Sequence, residues 1–151
     1  MAGGGTTATT LRATMLFIIT NPHVYRTLQT EIDATTKLDV VISNEQPNRL
    51  PYLQAVVKEG VRMWPGATGI MSKVVPPEGD TIDGKFLPGG TEIGKNDWAI
   101  QRTPEVYGEY STLFKPERWL LAQGEQLETM ERTLGLVWGS GKCSCLESVL
   151  P

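Results

Sequence analysis

Trp138-Gly139-Ser140-Gly141-Lys142-Cys143-Ser144-Cys145-Leu146 is the stretch whose reading decides the fold. It sets an aromatic, two glycines and a cysteine in sequence. Glycine carries no Cβ, so Gly139 and Gly141 let the backbone turn tightly and approach a flat ligand closely. Trp138 is placed to cover one side of a sulfur ligand, and the thiolate of Cys145 is the form that binds a metal. An isolated cysteine is more often a buried structural residue or an exposed thiol. The Cys143–Cys145 pair is a weak zinc motif, because zinc usually takes four ligands at wider spacings and His23 is the only histidine.

Three further motifs precede this loop. Ala2-Gly3-Gly4-Gly5-Thr6-Thr7 opens the chain, Glu59-Gly60-Val61-Arg62 follows, and Lys115-Pro116-Glu117-Arg118-Trp119 stands before the loop. Each short pattern arises often by chance, whereas all four in this order do not. Together they resemble the cytochrome P-450 family of haem-thiolate monooxygenases: the oxygen-binding stretch of helix I, the Glu-x-x-Arg of helix K, the Pro-Glu-Arg-aromatic segment and the cysteine-ligand loop. Fungal members are nearest in pattern, judged from Gly89-Gly90-Thr91 through Trp98 to Arg118-Trp119. The resemblance spans essentially all 151 residues. It implies a single incomplete domain over residues 1–151, the C-terminal part of such an enzyme, cut at both ends.

The implied cofactor is haem b, with Cys145 as axial ligand to the iron, and a thiolate there pushes electron density onto the metal. Trp138, Gly139 and Gly141 would shape that loop, and Lys73 would face a haem propionate. Thr6 would be the distal hydroxyl that organises water for proton delivery. Glu59, Arg62 and Arg118 would form a buried structural group locking the helix to the meander that leads into the loop. Implied partners are an NADPH-linked reductase and a lipophilic small molecule. Full-length relatives in eukaryotes are expected at the endoplasmic reticulum membrane through an N-terminal anchor. This chain has no such anchor in its sequence and is expected to be soluble or cytoplasmic if expressed as given.

Three positions depart from the family pattern. Gly5 stands where an acid usually precedes the threonine, which removes a proton-relay group with a suitable pKa. Cys143 stands where a basic residue is common, and Glu147 replaces the glycine after the ligand. An anion there disfavours the thiolate. The alternative expectation is therefore a catalytically inactive, truncated remnant of such an enzyme.

Read without the resemblance, the same residues have plainer meanings. Glu59 and Arg62 lie three apart on a helix, where an exposed pair contributes about 0.3–0.5 kcal/mol. The Gly3–Gly5 run lacks the lysine and the preceding strand of a phosphate-binding loop. Lys73 reads equally well as a solvated lysine. A net charge of −3 with scattered Lys and Arg gives no basic footprint for nucleic acid.

A chain of this length can bury roughly 68–70% of its unfolded surface. Sixteen glycines and ten prolines point to many turns. Met15-Leu16-Phe17-Ile18-Ile19 is apolar but far short of the ~20 residues of a membrane helix. Residues 6–20 read as a helix with Leu11, Met15, Ile18 and Ile19 on its apolar side. Asn21 would cap a second helix starting at Pro22, buried through Val24, Tyr25, Leu28 and Ile32. Residues 35–49 are polar and irregular and read as a loop carrying a short element.

A third helix carries Leu53, Val56, Val57, Val61 and Trp64 as its stripe, with Glu59 and Arg62 on the other side, and Pro65 stops it. Residues 81–86 form a hairpin around Asp83-Gly84, a pair suited to a tight primed turn. Gly89-Gly90 turns into a strand at 91–93, and residues 96–102 form a short helix. From Thr103 onward the backbone reads as mostly irregular. The progression of helices, small β hairpins and coil gives an α+β fold, and the resemblance implies the C-terminal part of the mostly helical cytochrome P-450 fold.

Overall fold

The computed structural model describes residues 3–35, 47–139 and 144–145. Helices dominate: α1 (Gly3–Thr20), α2 (Pro22–Thr35), a 3-10 turn at Pro47–Arg49, α3 (Pro51–Met63), α4 (Asp97–Ile100), α5 (Pro104–Tyr107), α6 (Glu117–Leu121), α7 (Gly124–Gly135) and a second 3-10 turn at Leu136–Trp138. Two small antiparallel ladders lie between α3 and α4. β1 (Lys73–Val74) pairs with β4 (Glu92–Ile93), with Lys73 opposite Ile93. β2 (Asp80–Ile82) pairs with β3 (Lys85–Leu87) as a hairpin. Asp83 and Gly84 both take positive φ, 51° and 72°, which matches the twist that a two-residue hairpin demands.

α3 stands between two apolar clusters. On one side Tyr52 and Val56 pack with Ile18, Val24 and Leu28 from α1 and α2. On the other, Ala55 packs with Tyr107, Trp119, Ala122, Met130 and Leu134. Pro51 supplies the fixed φ that suits a first helical position. The amides of Tyr52 and Leu53 donate to the two Glu31 oxygens at 2.8 Å each. A carboxylate on α2 thus caps α3, satisfying amides that have no partner within the helix and complementing its positive end.

Several helix faces differ from the pattern expected. α1 buries Thr14 and Ile18, while Leu11, Met15 and Ile19 are exposed. The small side of this helix meets α3 because Gly60 admits a close crossing. A Cβ built on Gly60 would lie 2.1 Å from Thr14 Oγ1 and 2.9 Å from its Cβ. We predict that Gly60→Ala forces the two helices apart and lowers unfolding stability by about 1–3 kcal/mol. Thr14→Ala in the same chain should partly restore it, as chemical denaturation of the single and double variants would measure.

On α2, Val24 and Leu28 are buried but Tyr25 is half exposed. Asn21 spends its side-chain amide on the Phe17 carbonyl at 2.7 Å, closing α1, while its own carbonyl accepts from Tyr25 at 3.0 Å. α4 is shorter than the span expected from 96 to 102, and Asn96 caps it by accepting from Ala99 at 3.1 Å. The segment after Thr103 is largely helical, contrary to the irregular backbone expected. Leu127, Met130 and Leu134 recur at helical spacing in α7 and pack on the second cluster. Among the described residues, no helix is long and apolar enough to cross a membrane.

Candidate functional site

Glu59 is fully buried, as is Arg62 one helical turn later, and Arg118 is 8% exposed. The amphipathic reading of α3 holds only in part: Val56 is buried and Leu53 and Val61 are half-buried, but Val57 and the C-cap residue Trp64 are exposed while Glu59 and Arg62 face inward. A buried carboxylate survives only when its charge and its hydrogen bonds are both matched. Here they are. Oε1 accepts from Arg62 Nη2 at 2.8 Å, Arg118 Nε at 3.0 Å and the Lys115 amide at 2.8 Å. Oε2 accepts from Arg62 Nε and from Trp119 Nε1, each at 2.9 Å. Two guanidinium groups, an indole and a main-chain amide therefore use every lone pair of this carboxylate.

The remaining guanidinium donors hold the backbone from the end of α4 to the segment between α5 and α6. Arg62 Nη1 donates to the Gln101 and Ser111 carbonyls at 2.5 and 2.6 Å, and Nη2 reaches Leu113 at 3.1 Å. Arg118 donates to the carbonyls of Tyr107, Tyr110 and Leu113. Carbonyls without a ladder or helix partner are thereby satisfied by charged donors, which are stronger than neutral ones. The Arg62 guanidinium also lies 4.8 Å from the Tyr107 ring centre. Burial pushes the Tyr107 phenol above its ordinary pKa, with the nearby Arg62 charge acting in the opposite direction.

Tyr107 and Gln101 extend this group toward the end of the chain. The Tyr107 hydroxyl donates to Gln101 Oε1 at 2.6 Å, and Gln101 Nε2 donates to the Thr133 carbonyl at 2.7 Å. Thr133 lies in the last turn of α7, which runs directly into the 3-10 turn that ends at Trp138. Gly139 then takes φ 75° with ψ −171°, a conformation open to glycine and strained for other residues. The Cys145 amide returns to donate to the Trp138 carbonyl at 2.7 Å, so the cysteine is tied by its own backbone to the aromatic seven positions earlier. Cys145 is partly exposed.

Of the residues singled out in the sequence, the structure brings Glu59, Arg62 and Arg118 into one cluster and Trp138, Gly139 and Cys145 into one loop. Thr6 lies in the first turns of α1 and Lys73 in β1, both exposed. Thr6 meets the chain after α3, its Cβ 3.0 Å from where a Cβ on Gly66 would stand. Gly141, Cys143 and Glu147 lie outside the described residues. Gln101, Lys115 and Trp119 take part in the buried cluster although the sequence reading gave them no such role. For Trp119 a signal existed, since it adjoins Arg118 in the Pro-Glu-Arg segment. The Lys115 contact is made by backbone, which no side-chain pattern reports.

The donor chemistry fits a haem. Among the described residues, no three His, Cys, Asp or Glu side chains come together to hold a metal ion. A partly exposed cysteine whose amide is bonded to the Trp138 carbonyl suits a metal that takes a single protein sulfur and draws its other ligands from a macrocycle.

Comparison with known proteins gives the family. The cytochrome P450 family profile matches residues 1–146. Cytochrome P450 monooxygenase ABA1 of Pyricularia oryzae is 44% identical over 149 residues, an alignment covering 96% of this chain and 29% of that protein. Pisatin demethylase of Fusarium vanettenii is 39% identical over 145 residues, covering 96% of this chain and 27% of that protein. A zebrafish cytochrome P450 solved with abiraterone superposes with a TM-score of 0.80 at 28% identity, over 97% of this chain and 32% of its own. The chain thus spans under a third of the length of these relatives. The profile match over residues 1–146, with these relatives, places the chain in the cytochrome P450 family.

Proposed function

We propose that these residues form the haem-thiolate portion of a monooxygenase, with Cys145 as the axial ligand to haem b. The observation that carries the reading is the Cys145 amide bonded at 2.7 Å to the carbonyl of Trp138, which Gly139 follows at φ 75°. That bond fixes the sulfur-bearing residue on the end of a helix already anchored to the buried Glu59 cluster. Haem bound through a thiolate supplies dioxygen activation, in which one oxygen atom enters an organic substrate.

The chain's own residues supply the setting. Glu59, Arg62 and Arg118 hold the meander; Trp138 and Gly139 shape the loop; Lys73 offers a cation to a propionate. Gly141, at the family's position, would serve as the second turn of that loop. Thr6 is the distal hydroxyl for water, without the acid that would usually precede it, since no acidic residue occupies the first turn of α1. In the whole enzyme, electrons would come from an NADPH-linked reductase and the substrate would be a lipophilic small molecule. An endoplasmic reticulum location belongs to the same reading.

A second reading, a catalytically inactive, truncated remnant of such an enzyme, is favoured by Gly5 at the acid position. Water relay through Thr6 alone lacks a group titrating near the working pH. The two readings separate in one experiment. The chain is loaded with hemin, its reduced carbon-monoxide spectrum is recorded, and product formation is followed with NADPH, a reductase and a panel of lipophilic substrates. A thiolate-type spectrum with little product is the expected result for these 151 residues. No thiolate spectrum would overturn haem ligation, and robust coupled turnover would overturn the remnant.

A further inference from the structure

We infer that Lys95 and Gln101, which flank α4 on either side, are positioning residues for the cysteine loop. Their targets are two carbonyls at the junction where α7 becomes the 3-10 turn. Helix C-termini leave such carbonyls without intrahelical partners. The Thr133 carbonyl accepts the Leu136 amide and, at 2.7 Å, Gln101 Nε2. The Leu136 carbonyl accepts the Gly139 amide at 3.1 Å and the Lys95 ammonium. Each carbonyl therefore takes one bond from its own turn and one from an end of α4.

Both donors are themselves held. Gln101 is fully buried and receives the Tyr107 hydroxyl on its Oε1, while its backbone carbonyl receives Arg62 Nη1 at 2.5 Å. Lys95 is paired at 2.5 Å with Asp97, whose side chain is 4% exposed. A cation at a helix C-terminus is also favoured by the helix dipole. α4 thus acts as a clamp, transmitting the rigidity of the Glu59–Arg62 cluster to the turn that carries Trp138, and through the Trp138 carbonyl to Cys145.

The functional weight of this clamp rests on the haem-ligand reading of Cys145, but its geometry does not, so the test begins without hemin. Amide hydrogen exchange is measured by NMR in the full 151-residue chain. The readout is the exchange rate of the Gly139 and Cys145 amides relative to that of Val56 in α3. Gln101→Leu and Lys95→Met should each raise this ratio about tenfold, the effect of losing one well-made hydrogen bond. Lys95→Arg, which keeps a charged donor, should restore it. Leu28→Ala, in the apolar cluster on the far side of α3, should lower global stability and leave the ratio unchanged.

Unchanged ratios in the clamp variants, or an equal rise in Leu28→Ala, would overturn the inference. If Gln101→Leu does not fold, Lys95→Met decides alone, because Lys95 is 34% exposed and tolerates replacement. Hemin is then added. Retention of the thiolate-type carbon-monoxide spectrum should fall in the clamp variants and return in Lys95→Arg. A wild-type chain without that spectrum would sink the ligand reading, while the exchange ratios would still decide the clamp.

Discussion

Glu59→Gln should cost about 3–5 kcal/mol of unfolding stability, because it leaves two buried guanidinium groups facing a neutral amide. The amide retains one oxygen acceptor but turns an NH2 toward donors that need an acceptor. The loss is a large fraction of the ~5–15 kcal/mol that holds a typical domain folded. Its consequence is structural and spreads through the meander. Once Glu59 no longer orients Arg62 and Arg118, the carbonyls of Gln101, Tyr107, Tyr110, Ser111 and Leu113 lose well-placed donors.

Lys58→Met provides the contrast. Lys58 and Glu131 form an ion pair with side chains 37% and 48% exposed, so its removal should change stability by under about 1 kcal/mol. Urea titration followed by far-ultraviolet circular dichroism would compare the two. A Glu59→Gln chain within about 1 kcal/mol of wild type would show that the cluster is not the anchor described, since breaking a buried pair leaves an uncompensated charge.

Cys145→Ala should abolish the thiolate-type carbon-monoxide spectrum of the hemin-loaded chain, whereas Cys143→Ala should keep it. Only the thiolate of an axial cysteine gives the iron that electronic character. The two cysteines stand two positions apart, and only Cys145 keeps the family's spacing from Trp138 and Gly141. Its amide bond to the Trp138 carbonyl supports the same assignment. Alanine removes the sulfur while leaving that backbone bond available, so the loop should keep its shape and only ligation should fail. A band that survives Cys145→Ala and vanishes in Cys143→Ala would transfer the role to the first cysteine. Circular dichroism of both variants separates loss of ligand from loss of fold.

Local chemistry sufficed for much of this molecule. Asp83-Gly84 specified its hairpin because few other pairs accept two positive φ values in succession. Pro51 at the start of α3 and Pro65 after it bounded that helix by their own stereochemistry. The order of four short motifs identified the family and singled out Glu59, Arg62, Arg118 and Cys145 before any coordinates. The spacing of Leu127, Met130 and Leu134 also announced α7 to a reader who applied the helical period beyond Thr103.

Tertiary structure alone decided which faces are inside. On α3 the apolar stripe put Glu59 and Arg62 on the outer side, yet both are buried as well as Val56, because their partners come from distant parts of the chain. Arg62 finds the Gln101 and Ser111 carbonyls 39 and 49 positions away. Glu59 finds Arg118 and Trp119 59 and 60 positions away. No local window contains those groups, and without them burial of either charge would be prohibitive. On α1 the same logic runs through size, since Gly60 lets Thr14 approach and leaves Leu11 and Met15 outside. Periodicity reports which residues prefer to leave water, and only the assembled fold determines which polar groups can be satisfied when they do.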